Sequence, residues 1–138
     1  MERAVADFYS WYVPMSATAE APMRAVRERS TSFAPALVRG LRADSVARAG
    51  SPTGIVGLEG DPFLNAQDPC DHYQPVRTTG HGSHYRVEVL GSGGCAAHEN
   101  PDVVVEVSVQ RDRVVLENFV YSTKPADDLL SLLHHLSA

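Results

Sequence analysis

The segment DVVVEVSVQ, residues 102–110, decides the fold of this 138-residue chain. Val103, Val105, Val107 and Val109 alternate with polar residues, and Val104 alone interrupts the polar side. A period of two is typical of a β-strand with one buried face. The segment therefore predicts a strand of an antiparallel sheet that covers a core on one side.

The flanking segments supply the rest of the predicted sheet. Residues 111–113, RDR, form a turn that leads into the strand VVLENFVYS at 114–122. Upstream, YQPVRTT at 73–79 and HYRVEVLG at 84–91 are separated by GHGS, which is typical of a hairpin. We expect three or four antiparallel strands.

Helical patterns lie on both sides of this sheet. Val5, Phe8, Tyr9 and Tyr12 recur at helical spacing, and Pro14 should end that first helix. A short helix is expected at 23–29. Ser32 is the expected N-cap of a helix that ends near Gly50. At the other end of the chain, a Ser or Thr cap at 122–123 and two carboxylates predict a short C-terminal helix. Its leucines, Leu129, Leu133 and Leu136, should pack on the sheet.

These elements predict an α+β fold in one domain, residues 1–138. N-terminal helices would pack on a curved antiparallel sheet, and a short helix would close the chain. The net charge of −5 and the scattered arginines argue against a nucleic-acid partner. No apolar run is long enough for a transmembrane helix. The start MERAVADFYSWYVPM lacks the layout of a secretory leader, so we expect an exported protein with its leader removed or a cytoplasmic one.

The long connection at 51–73 holds the segment GDPFLNAQD, residues 60–68, and raises the question of chemistry. Five oxygen-bearing residues suggest calcium, but their spacing does not fit an EF-hand loop and favours Asx-turns. They are Glu59, Asp61, Asn65, Asp68 and Asp71. Acid–base work inside a cavity is another option, carried by Asp61 and Asp68 with Tyr85 or Tyr121.

Histidines and cysteines suggest two further chemistries. Zinc would need convergent ligands, and solvated side chains are the favoured interpretation of the histidines. They are His72, His81, His84, His98, His134 and His135. A nucleophilic Cys70 beside His72 is disfavoured, because Asp68 and Asp71 would raise the pKa of the thiol. Cys95 with His98 is the corresponding second pair. Both cysteines fall in predicted loops, where they form a surface disulfide or stay free.

The order of FYSWYV, LVRGL, GDPFLNAQD, the Val-rich strands and the final DLLSLLHHL resembles a bacterial family of small envelope proteins. That family, a domain of unknown function often found in lipoproteins, is described as nuclear-transport-factor-2-like or cystatin-like. The resemblance spans nearly the whole chain, and Asp61–Phe63 with Ala66–Asp68 is its sharpest element. It implies an exported α+β protein, and it supplies no catalytic residues.

On this resemblance, residues 60–68 clamp the long connection to the body. Phe63 and Leu64 would insert between helices and sheet, while Gln67 and Asp68 would bind backbone amides. Cys70 and Cys95 are assigned structural roles.

By analogy with envelope proteins of similar build, we expect a non-enzymatic protein that binds another protein, as an inhibitor or immunity protein against a secreted toxin. We expect no cofactor or metal. The expected binding residues are five acidic loop positions and one histidine: Glu59, Asp61, Asp68, Asp71, His98 and Glu99. The alternatives are a cone-shaped domain that binds or converts a small ligand, and a structural envelope component.

Overall fold

The computed structural model describes residues 1–18, 20–49, 60–66 and 69–137. The α-helices in this part of the chain are α1 (Glu2–Tyr12), α2 (Ala21–Glu28), α3 (Pro35–Ala49) and α4 (Leu129–Ser137). Short 3₁₀ turns at Val13–Met15 and Ser30–Ser32 follow α1 and α2. The strands are β1 (His72–His81), β2 (His84–Ser92), β3 (Val103–Gln110) and β4 (Arg113–Val120).

The four strands form one open antiparallel sheet in the order β1-β2-β3-β4. The valine alternation places β3 as expected, since Val105 pairs with Val87 on one side and Phe119 on the other, and all three are buried. Register shifts between Pro75 and Arg77 and between Glu106 and Val107 mark bulges, which bend strands and increase their twist. The α+β prediction is confirmed.

Both hairpins close through two-residue turns. The β3–β4 turn consists of Arg111 and Asp112, whose φ angles are 50° and 66°. Positive φ at both central residues matches the twist of the flanking strands. The β1–β2 turn is Gly82–Ser83, so β1 extends two residues further into GHGS than the sequence predicts, while β2 begins at His84 as predicted.

The helices complete the core. All four residues of the predicted stripe in α1 are buried, and α1 packs against β1. α3 packs against α4, where a Cβ on Gly40 would lie 2.9 Å from Leu133 Cδ1. Gly40 weakens the helical pattern of α3 in the sequence. The structure explains the presence of a glycine here, because α3 and α4 approach closely at this residue.

Two predicted helix starts are wrong. Ser32 lies in a 3₁₀ turn and makes no capping bond, because Phe33 and Ala34 pair with β4 before α3 begins at Pro35. The second wrong start is that of α4, for which the sequence predicts a Ser or Thr cap at 122–123. The helix begins at Leu129, and Asp128 before it accepts hydrogen bonds from the Ser131 amide and hydroxyl.

Two of the three leucines that were expected to pack on the sheet are buried, but α4 packs against α3 as well as against β4. Leu129 and Leu133 are buried, but Leu136 is 43% exposed. Leu136 belongs to the last turn of this short helix, so its side chain lies in solvent and not against the sheet. Gly50, the predicted end of α3, lies outside the described residues.

Candidate functional site

The clamp loop, residues 60–66, is inserted into the core. Phe63 and Leu64 are both 0% exposed. The Phe63 ring contacts four other aromatic rings at centroid distances of 4.9 to 5.6 Å: Phe8, Tyr12, Phe33 and Phe119. These rings come from α1, from the segment before α3 and from β4, so Phe63 fills the space between the helices and the sheet.

Three tyrosine hydroxyls hold three consecutive residues of the clamp loop. Tyr12 donates to Asp61 Oδ2 at 2.6 Å, Tyr121 to the Pro62 carbonyl at 2.6 Å, and Tyr9 to the Phe63 carbonyl at 2.7 Å. A buried tyrosine hydroxyl needs such a partner, and a buried carbonyl needs a donor. The loop is thus fixed by polar bonds as well as by packing.

Asp61 organises the loop from within. Its Oδ1 accepts hydrogen bonds from the amides of Phe63 at 2.9 Å and Leu64 at 3.2 Å. This is the amide-binding role that the sequence assigns to Gln67 and Asp68, which lie outside the described residues. Burial raises the pKa of Asp61 against the lowering effect of its three hydrogen bonds. Burial also raises the pKa of Tyr12, and the neighbouring carboxylate adds to that effect.

Asp61 also lines a surface cleft of about 820 Å³. Other described residues of this cleft come from the turn after α1 and from the segment that leads to β1, among them Val13, Ser16, Pro69 and Asp71. Asp61 therefore joins the filled core to the surface. Its Oδ1 accepts two hydrogen bonds and its Oδ2 accepts one, which leaves acceptor capacity on Oδ2 beside Tyr12.

The second candidate region is the disulfide end, which we define as Asp71, His98, Glu99 and Asp102 on loops joined by the Cys70–Cys95 disulfide. Cys70 is buried and Cys95 is half-buried, so the bridge is less superficial than the sequence suggests. The Asp71 amide donates to the Gly93 carbonyl at 2.7 Å. The Asp71 carboxylate lies against Gly94, whose φ of 70° favours glycine.

His98 ties the loop that follows Cys95 to the sheet. Its Nδ1 lies 2.8 Å from the Ala96 carbonyl, and its Nε2 lies 2.9 Å from Asp102 Oδ2. The same Asp102 oxygen accepts the Gly91 amide of β2 at 2.6 Å. Both partners of the ring are acceptors, so both nitrogens donate only when the ring is charged. These contacts, first the Ala96 carbonyl and then Asp102, raise the pKa of His98.

The predicted binding residues separate into distinct places. Asp71, His98 and Glu99 are exposed at the disulfide end, while Asp61 is turned into the clamp loop. Glu59 and Asp68 lie outside the described residues.

Asp68, one of the two acids of the proposed acid–base set, lies outside the described residues, and Tyr121 lies near Asp61. Tyr121 binds the Pro62 carbonyl, and Tyr85 lines a different cleft, together with His81 and His84.

The metal hypotheses gain no support from the geometry. In the described ranges, no three His, Cys, Asp or Glu side chains converge as metal ligands would. Asn65, one of the residues that suggested calcium, has a structural contact instead. Its side-chain amide donates to the Asp102 carbonyl at 3.0 Å and so links the clamp loop to the disulfide end. His81 and His84 are register partners across the first hairpin, and both are exposed.

The residues that hold these loops carry little signal in the sequence. The helical spacing of Tyr9 and Tyr12 predicts a buried face, but it does not indicate the partners of their hydroxyls. Two buried tyrosines one turn apart are a signal for a polar partner elsewhere in the chain. Asp102 carried no local signal, because its role depends on loops that only the fold brings together.

No protein-family model, curated protein or solved structure matches this chain. The fold and the clamp loop define an α+β protein with an open antiparallel sheet. The clamp loop fills the space between this sheet and the helices. Among the described helices, none is both long enough and apolar enough to cross a membrane.

Proposed function

We propose that this chain is a non-enzymatic protein of the bacterial envelope that binds another protein through the disulfide end. By analogy, the class of such proteins that we propose is that of inhibitors or immunity proteins against secreted toxins. The observation that carries the proposal is the filled interior. Phe63 and its four aromatic neighbours occupy the space in which a cone-shaped domain would hold a ligand, which favours recognition through surface loops over a ligand held inside the core.

The charge of the disulfide end suits a basic partner. Asp71 and Glu99 are exposed, whereas the Asp102 side chain is 20% exposed and pairs with His98. Negative loops of this kind accelerate association with a positively charged surface and select against acidic partners. The net charge of −5 acts in the same direction.

The rigidity of these loops supports a binding role. The disulfide, the Asp71–Gly93 backbone bond and the Asp102–Gly91 bond fix them before any partner arrives. A surface that is ordered in advance loses less conformational entropy on binding. A disulfide is also compatible with the oxidising conditions of a periplasm.

The test uses the oxidised protein as bait in an envelope extract of its own organism. A basic protein captured in stoichiometric amount is then purified and titrated by calorimetry against the double variant Asp71→Asn with Glu99→Gln. The control carries the same charge change elsewhere, Glu2→Gln with Asp112→Asn. We expect the first variant to weaken binding at least tenfold and the control to bind normally. The absence of a stoichiometric partner, or equal binding by both variants, would contradict the proposal.

A second candidate function rests on Asp61. This carboxyl has a raised pKa, lies within hydrogen-bond distance of Tyr12 and lines the cleft of about 820 Å³. A buried carboxyl with a raised pKa in a cleft is a common feature of small-ligand and acid–base sites. A thermal-shift screen of small metabolites tests it. A ligand that stabilises the wild type but not Asp61→Asn would support this function over protein binding.

A further inference from the structure

We propose that a cleft distinct from those lined by Asp61 and by Tyr85 binds a small anionic amphiphile. Such a ligand is a carboxylate or phosphate with a short aliphatic chain. The cleft has a volume of about 510 Å³ and lies between α3, the 3₁₀ turn before it and the β3–β4 hairpin. We name it the arginine cleft. Its described lining residues are Ser30, Thr31, Phe33, Pro35, Val38, Arg39, Arg42, Gln110, Arg113 and Val115.

Three cations share this cleft without a counter-charge. Arg39 and Arg42 lie one turn apart on α3, and Arg113 begins β4. None of the three guanidinium groups makes an ion pair or hydrogen bond with a described residue. None of the described lining residues is acidic. Like charges in one cleft repel each other, and the repulsion is relieved by an anion.

This concentration of positive charge stands out against the rest of the molecule. The chain carries a net charge of −5, and five of its eight other arginines have an acidic partner. Guanidinium groups bind carboxylates and phosphates through two parallel hydrogen bonds. The same cleft holds the start of the 15-residue helix α3, and the N-terminal end of a helix carries partial positive charge.

The remaining walls are suited to a short apolar chain. Phe33, Val38 and Val115 form the buried side of the cleft, and Pro35 is exposed beside them. The aliphatic stems of the arginines extend this apolar surface. A concave site with apolar walls and a few charged groups is typical of a small-ligand pocket, whereas a membrane surface requires a flat or protruding face.

The test is calorimetric titration at low salt with four probes. Octanoate and octyl phosphate carry both the anion and the chain, acetate carries only the anion, and octyl glucoside carries only the chain. We expect saturable one-to-one binding of at least one octyl anion, with acetate and octyl glucoside binding at least tenfold more weakly.

Variants locate the site. Arg39→Gln combined with Arg113→Gln should weaken binding of the octyl anion at least tenfold, and Arg→Lys at the same positions should retain an intermediate affinity. The matched control removes two charges elsewhere, Arg3→Gln on α1 with Arg27→Gln on α2, both exposed arginines that do not line the cleft. Melting curves establish that each variant is folded. If the glutamine variant does not fold, the lysine variant compared with this control decides the question.

Four results would overturn the proposal: no saturable binding of either octyl anion, equal affinity in the arginine variants and the control, octyl glucoside binding as tightly as octanoate, or binding to anionic vesicles without binding of the monomeric anions. The proposal is independent of partner binding at the disulfide end, because none of its residues belongs to that region.

Discussion

Replacing Phe63 by alanine tests whether the clamp loop holds the fold together. The ring is 0% exposed and lies among four aromatic rings on three different segments. Removing a fully buried phenylalanine costs about 3–5 kcal/mol, from lost burial and from the cavity that remains. In a domain of this size, such a loss lowers the melting temperature by about 10 °C or more.

The assay is urea and thermal unfolding followed by circular dichroism, with two comparison variants. Val46→Ala removes apolar atoms from a side chain that is 74% exposed, and should change stability by less than about 0.5 kcal/mol. Phe63→Leu keeps an apolar side chain in place and should fall between the two. A Phe63→Ala protein that melts with the Val46→Ala control would refute the clamp.

Three further measurements concern the disulfide and two titrating groups. Reducing Cys70–Cys95, or replacing both residues by serine, should destabilise the protein by about 3 kcal/mol, because the bridge closes a loop with a sequence separation of 25; an unchanged urea midpoint in reductant would contradict this. His98 has a raised folded-state pKa, so its contribution to stability is complete below its unfolded pKa and is lost as the pH rises through the folded value. An NMR titration should place the His98 pKa above the ordinary value of about 6.5, and Asp102→Asn should bring it down; a wild-type pKa at or below 6.5 would count against the contact. Asp61 also has a raised pKa, so the stability it contributes is present below its unfolded pKa and declines as the pH rises through the folded value. Urea midpoints from pH 3.5 to 6.5 should decline less for Asp61→Asn than for the wild type. Parallel curves would show that the Asp61 pKa is the same in the folded and unfolded states, which contradicts the raised pKa.

Local patterns predicted the elements of this fold wherever one residue type repeats at the period of its structure. The aromatic stripe of α1 is one case, and the valines at 103, 105 and 107 of β3 are another, since each pattern produces a buried face. After the bulge between Glu106 and Val107 the pattern fails, because Ser108 is buried and Val109 is only half-buried. Prediction failed at helix starts. Ser32 has the chemistry of a cap, but the pairing of Phe33 with Leu116 decides where α3 begins.

The candidate sites were harder to predict than the elements. The sequence singled out residues 60–68, of which the described part, 60–66, is inserted into the core. It placed Asp71, His98 and Glu99 in loops, where the three side chains are exposed. It placed Asp61 among the binding residues, although the carboxylate faces Tyr12, 49 positions earlier. The arginine cleft was not anticipated, because Arg39 and Arg113 appear only as scattered charges along the chain.

The sequence by itself determined the α+β class, the two hairpins and the buried faces of the main elements. These depend on interactions between residues a few positions apart, where the backbone period fixes which side chains share a face. The tertiary structure alone decided which polar groups meet. Tyr121 reaches Pro62 across 59 positions, and the arginines of α3 and β4 converge on one cleft, because the packing of helices on the sheet, and no local pattern, sets those distances.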